Sequence, residues 1–160
     1  MAESDHQGRI FIVDDEEMVL TSLESFLALE TEYEVDTFLS PREALVRAGE
    51  VEVNLIISDY LMPDMDGISF LSEVRKIKPE VTRIILTGYA DKENAIKAIN
   101  EVDLFQYIEK PWDNDQLLII IRNGLDKYYL LRNLREKIAE INKAYADLQG
   151  IQQDILKTFA

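Results

Sequence analysis

The chain has 160 residues, 47% of them hydrophobic, and no cysteine; that is enough for one domain with a packed core, and it excludes disulfides, thiolate metal sites and a wholly disordered chain. The net charge of −14 is uneven: residues 1–126 hold 11 Lys and Arg against 27 Asp and Glu, a net −16, whereas residues 127–160 carry a net +2. So acidic a body repels nucleic acid, and direct DNA binding is not expected of it.

Residues 1–9 are polar, include His6, and do not form a signal peptide. No apolar run approaches the roughly 20 residues needed to cross a bilayer. A cytoplasmic protein with no membrane contact is expected. Residues 1–8 are read as a flexible N-terminus, 9–126 as a folded domain and 127–160 as a helical extension.

The apolar stretch Arg9-Ile10-Phe11-Ile12-Val13 reads as a buried strand and ends in Asp14-Asp15-Glu16-Glu17. Val19, Leu20, Leu23, Phe26 and Leu27 then recur at helical spacing, behind an acidic helix start that suits the macrodipole. Residues 33–38 alternate as a strand does. Ser40-Pro41 is a helix start, with Ser40 as N-cap and Pro41 in the first turn. That helix is expected to stop at Gly49.

Leu55-Ile56-Ile57-Ser58-Asp59 is apolar without alternation until it ends in a carboxylate. Such a strand is covered on both faces and belongs to a parallel sheet. A loop containing Pro63, Asp64, Asp66 and Gly67 follows, then a helix through Phe70, Leu71 and Val74 that closes before Pro79. Asp64 and Asp66 are read as loop solvation and helix capping. Residues 83–86 form a strand ending in Thr87-Gly88. Asp91 caps the next helix, which carries Ala95, Ile96, Ala98 and Ile99. Residues 104–108 form a fifth strand ending in Glu109-Lys110-Pro111, and a long helix begins near Asp113, with Trp112 packed at its base.

Strand and helix therefore alternate five times, which predicts an α/β fold with helices on both faces of a parallel sheet. Right-handed crossovers bring the strand ends to one edge. Asp14, Asp15, Asp59, Thr87 and Lys110 all stand at such ends. Three carboxylates together repel one another, and a hard divalent cation such as Mg²⁺ or Mn²⁺ relieves this. Lys110 adds a positive charge suited to a phosphate, and Thr87 a hydroxyl. One carboxylate is then free to act as nucleophile, and Asp59, alone at a central strand end, is the candidate. Asp14 and Asp15 form the pair that holds the metal.

These positions, with Pro63, Gly67 and Pro111, resemble the response-regulator receiver domain of two-component signalling. The resemblance covers roughly residues 9–126. It implies a flavodoxin-like (βα)5 fold with strand order 2-1-3-4-5. It implies that Asp59 accepts a phosphoryl group from a histidine kinase or a histidine phosphotransfer protein, with Mg²⁺ required. Asp15, Asp59 and the backbone carbonyl of Leu61 would ligate the metal, Asp14 would act largely through water, and Lys110 would contact the phosphate across a cis Lys110–Pro111 bond. Thr87 and Tyr107 would form the switch. Leu61 and Tyr89 stand at the two positions that tune timing in the family, and we expect them to shield the acyl phosphate. No catalysis beyond the domain's own phosphorylation and dephosphorylation is implied. A docking module that is never phosphorylated is one alternative. A haloacid-dehalogenase-type aspartyl phosphatase is another, but it spaces its two aspartates two residues apart, whereas Asp14 and Asp15 are adjacent.

The last helix continues past what such a domain needs. From Asp113 to Gln149 there is no proline and one glycine, Gly124. At 1.5 Å per residue the span is roughly 55 Å. Leu131, Leu134, Ile138, Ile141, Tyr145 and Leu148 follow spacings of 3, 4, 3, 4 and 3, a heptad seam. Gly150 is expected to interrupt it, with Ile151, Ile155 and Phe159 resuming in altered phase. So long and narrow a seam favours a parallel homodimeric coiled coil over a helix folded back on its own domain. It is similar to the helices that link receivers to enzymatic outputs. On this reading the chain is a piece of a longer regulator, or signals by docking.

Overall fold

Strands with no polar face need cover on both sides, and the fold provides it. The computed structural model describes residues 8–159. The expectations for residues 1–7, His6 among them, lie outside the described residues, as do Ala160 and the side chain of Phe159.

Five parallel strands, β1 (Arg9–Val13), β2 (Glu34–Phe38), β3 (Leu55–Asp59), β4 (Thr82–Thr87) and β5 (Gln106–Glu109), form one sheet in the order β2-β1-β3-β4-β5. Helices α1 (Glu17–Glu30), α2 (Pro41–Glu50), α3 (Gly67–Ile77), α4 (Lys92–Glu101) and α5 (Asn114–Phe159) connect or follow them, and a short 3₁₀ turn (Tyr89–Asp91) precedes α4. This is the flavodoxin-like order expected.

Side chains alternate across the pleat, which splits the core in two. Ile10, Ile12, Leu55, Ile57, Ile84 and Leu86 pack with Leu20, Leu23 and Leu27 of α1 and Leu117, Ile121 and Leu125 of α5. Phe11, Val13, Ile56 and Ile85 pack with Ala44, Ala48, Phe70, Leu71, Val74, Ala95 and Ala98 of α2, α3 and α4. Each fully buried Leu or Ile contributes about 1.5–3 kcal/mol, so both layers hold the strand ends in place.

The helix starts follow local chemistry. Ser40 accepts from the Glu43 amide and Pro41 opens α2. Asp66 accepts from the Ser69 amide at 2.7 Å and caps α3. Asp113 accepts from the amides of Asp115 and Gln116 at the start of α5. Asp91 precedes α4 without a side-chain cap bond. The fifth strand begins two residues later than expected: Leu104 is buried, but its amide bonds the Ile99 carbonyl in the turn after α4. Helix α2 continues through Gly49 to Glu50.

The chain divides into two compact units, the first ending at Tyr128 and the second starting at Tyr129. Gly124, in the first, lets α5 lie close to the sheet: a Cβ there would meet Leu55 at 2.7 Å and Thr82 at 3.0 Å, and the Thr82 hydroxyl donates to the Gly124 carbonyl at 2.7 Å. In the second unit every described side chain from Leu130 to Thr158 is exposed, the heptad residues included. The interruption expected at Gly150 is absent, and the helix is unbroken to Phe159. A lone helical glycine costs only about 1 kcal/mol relative to alanine and keeps its backbone bonds. Among the described residues no helix is long and apolar enough to cross a membrane.

Candidate functional site

The carboxyl ends of β1, β3, β4 and β5 converge on one cluster. Asp14 follows β1 and is fully buried; Asp59 ends β3 and is 7% exposed; Thr87 ends β4 and is fully buried. Asp15 is exposed. The nearest carboxylate oxygens of Asp14, Asp15 and Asp59 lie within 4.8 Å of one another. Lys110, in the turn after β5, reaches across them, its Nζ 3.1 Å from Asp14 Oδ2 and 3.0 Å from Asp59 Oδ1. All five residues read from the sequence therefore stand at one edge of the sheet, four of them at or next to one ion cluster.

The backbone fixes these groups. Asp14 donates its amide to the Phe38 carbonyl, while its Oδ1 accepts from the Glu16 amide at 2.8 Å. Asp59 Oδ1 accepts from the Tyr60 amide at 3.0 Å, and the Tyr60 amide also bonds the Leu86 carbonyl. The Lys110 amide donates to the Thr87 carbonyl at 2.9 Å, which ties β5 to β4 at the site. The Lys110–Pro111 peptide is cis. Both hydrogen bonds on the Asp59 carboxylate fall on Oδ1; among the described residues none donates to Oδ2.

Burial sets the electrostatics. It pushes the Asp59 carboxyl up to about 6, against the hydrogen bond from Lys110 and with help from the Asp14 charge. Burial also raises Asp14, opposed by the Glu16 amide and Lys110. For Lys110 burial works downward, yet its bonds to Asp59 and Asp14 win and hold the ammonium above its ordinary range. One lysine facing several carboxylates leaves the site short of positive charge. Oxygen donors of this hardness suit a small divalent cation.

Thr87, Tyr107, Leu61 and Tyr89 carry the expectations of a switch and of timing. The Thr87 hydroxyl donates to the Gly88 carbonyl at 3.1 Å. Tyr107 lies on β5 opposite Ile85, half-buried, with Lys92 Nζ 5.9 Å from its ring centre. Lys92 also pairs with Glu109 at 3.3 Å. Leu61 and Tyr89, on the loops after Asp59 and Thr87, are 59% and 84% exposed. Trp112 packs against the α1/α5 layer and donates to Asn114.

Two residues support the site in ways that the sequence reading did not give. A Cβ at Gly67 would collide with the Asp59 carbonyl oxygen, so only glycine lets α3 start that close to the site. The signal was a glycine opening a helix, where alanine has the higher propensity. Asp64 takes a left-handed φ of 76° and pairs with Arg42 Nε at 2.7 Å, which ties the loop after Asp59 to α2. Nothing local in the sequence couples residues 22 apart.

The family model of the response regulator receiver domain matches residues 10–122. The hydrogenase transcriptional regulatory protein HoxA of Cupriavidus necator is 37% identical over 77% of this chain and 25% of that protein. The regulatory protein AtoC of Escherichia coli is 32% identical over 86% of this chain and 28% of that protein. The chain thus spans about a quarter of the length of these relatives. Among solved structures, a response regulator receiver domain protein from Clostridium thermocellum superposes with a TM-score of 0.72 at 35% identity, covering 78% of this chain and 98% of that one. The signal receiver domain of an HD domain-containing protein from Pseudomonas fluorescens Pf-5 gives 0.74 at 34% identity, covering 79% and 92%.

Proposed function

The chain belongs to the response regulator receiver domain family, and from that premise we propose that Asp59 accepts a phosphoryl group from a histidine kinase or a histidine phosphotransfer protein. The observation that carries the reading is the Asp59 carboxylate at the central strand end, with Lys110 Nζ at 3.0 Å on Oδ1 and no donor on Oδ2 among the described residues. Oδ2 attacks phosphorus, the P–N bond to the donor imidazole breaks, and the imidazole keeps the electron pair and takes a proton. Lys110 orients Asp59 beforehand and meets the phosphoryl oxygens afterwards. Asp15, Asp59 and the Leu61 carbonyl would hold Mg²⁺, with Asp14 acting through water, and the ion when bound would neutralise charge on the phosphoryl oxygens. The clustering of Asp14, Asp15 and Asp59 fits such an ion.

After transfer, Thr87 leaves the Gly88 carbonyl for the phosphoryl group, and Tyr107 turns toward the space this frees. Leu61 and Tyr89 restrict water and set the lifetime. No turnover of an external substrate is part of this reading. Residues 9–126 serve as the receiver and 127–160 as a helical extension through which two copies pair. The extension carries the change to an output domain or a partner protein. A cytoplasmic setting follows from the same reading.

Trp112, the sole tryptophan, lies two residues beyond Lys110 and serves as the probe. Its fluorescence should change saturably with MgCl₂, and again with acetyl phosphate in the parent but not in Asp59→Asn. A second change retained by the variant contradicts Asp59 as acceptor.

A further inference from the structure

The unbroken helix changes the reading of the tail's seam. With no interruption at Gly150, the spacing of three and four that starts at Leu131 continues past Leu148 to Gln152 and Ile155. In heptad terms Leu131, Ile138, Tyr145 and Gln152 occupy a, and Leu134, Ile141, Leu148 and Ile155 occupy d. One amide stands among apolar neighbours on a seam that nothing in its own unit covers. Ile151 and Leu156 fall at g and e beside it and are 56% and 69% exposed.

We propose that Gln152, flanked by Ile151 and Leu156, fixes the tail as a parallel, in-register pair with a second copy of this chain. The proposal rests on the homodimer reading above and adds what sets its orientation and register. Complementarity is the ground for it. In a parallel, in-register pair, a meets a, so each Gln152 meets its counterpart; a primary amide both donates and accepts, so the two satisfy each other. Each g residue then lies beside the e residue of the following heptad, which sets Ile151 against Leu156 of the second copy and removes both from water.

Antiparallel pairing over the same seam sets a against d. Gln152 then faces Leu134 and its amide is buried without a partner, on both chains. Ile151 then lies beside Lys137 of the second copy instead of an apolar residue. A parallel pair slipped by one heptad exchanges the Leu156 neighbour of Ile151 for Gln149. The charges do not oppose the favoured arrangement. Glu136, Glu140, Asp147 and Asp154 all fall away from the seam and its flanks, and Lys137 comes beside Asn142 rather than another cation.

The chain has no cysteine, so an introduced thiol is unique. Full-length Ile138→Cys and Leu148→Cys would be sedimented with and without Mg²⁺ and acetyl phosphate, then oxidised with glutathione disulfide, alone and mixed. The proposal expects each variant to link to itself and the mixture to give almost no 138–148 product. Adding Gln152→Leu to both should keep the dimer but lower the self-linked fraction and raise the mixed product. A predominant 138–148 product with Gln152 intact overturns the parallel orientation. A pattern unmoved by Gln152→Leu overturns the role of Gln152. Monomers under every condition overturn the homodimer reading itself, and sedimentation separates that outcome from the others.

Discussion

Asp59 is held ready at a cost. Its carboxyl titrates at about 6 in the folded chain against an ordinary 3.8. Between those values the folded state binds more protons than the unfolded one, so stability falls as pH rises through the window and stays low above it. Metal-free Asp59→Asn lacks this penalty. It should be more stable than the parent at pH 7 by about 1–3 kcal/mol, with the gap gone below pH 4, as measured by urea unfolding at both values. A gap independent of pH contradicts the account. The same strand end depends on Gly67, whose missing Cβ leaves room for the Asp59 carbonyl. Gly67→Ala forces backbone apart from backbone, and overpacking of this kind costs about 1–3 kcal/mol. The variant should unfold at lower urea and accept phosphate poorly; wild-type values on both counts contradict the close approach.

At the scale of elements, function sits on loops that rigid strands aim. The loop after β3 is held by the Asp66 cap and by the Arg42–Asp64 pair. That of β4 turns through a 3₁₀ segment carrying Tyr89. If Leu61 and Tyr89 screen the acyl phosphate, then Leu61→Asn with Tyr89→Glu, which bring water-ordering groups, should speed dephosphorylation. Roughly tenfold corresponds to about 1.4 kcal/mol of barrier. A phosphoryl lifetime equal to or longer than the parent's contradicts the screen. The strands and the site were legible because burial on two faces leaves unbroken apolar runs, and each run ends where a polar residue starts. Less legible were ends set by backbone bonding rather than by hydrophobicity. Leu104 is apolar and buried but lies in the turn, whereas Glu109 is charged and pairs with Thr87 inside the ladder. Gly150 looked like a stop because glycine is a poor helix former, but one poor residue does not end a helix of 46 residues.

The whole molecule joins two chemistries. A strongly acidic body carries the ion cluster at one edge of its sheet, and a slightly basic helix offers an apolar seam. On the proposed reading, the excess of carboxylates draws the cation for Asp59 and disfavours nucleic acid. The chain spans about a quarter of the length of the relatives HoxA and AtoC; on the proposed reading, the phosphoryl group on Asp59 is the input and the tail is the route onward. That account stands or falls on one adduct. Intact-mass spectrometry of the parent and of Asp59→Asn, each incubated with acetyl phosphate with and without Mg²⁺, tests it directly. The account predicts one added phosphate on the parent with metal, and none on the parent without metal or on the variant. An adduct of equal yield on Asp59→Asn would contradict it.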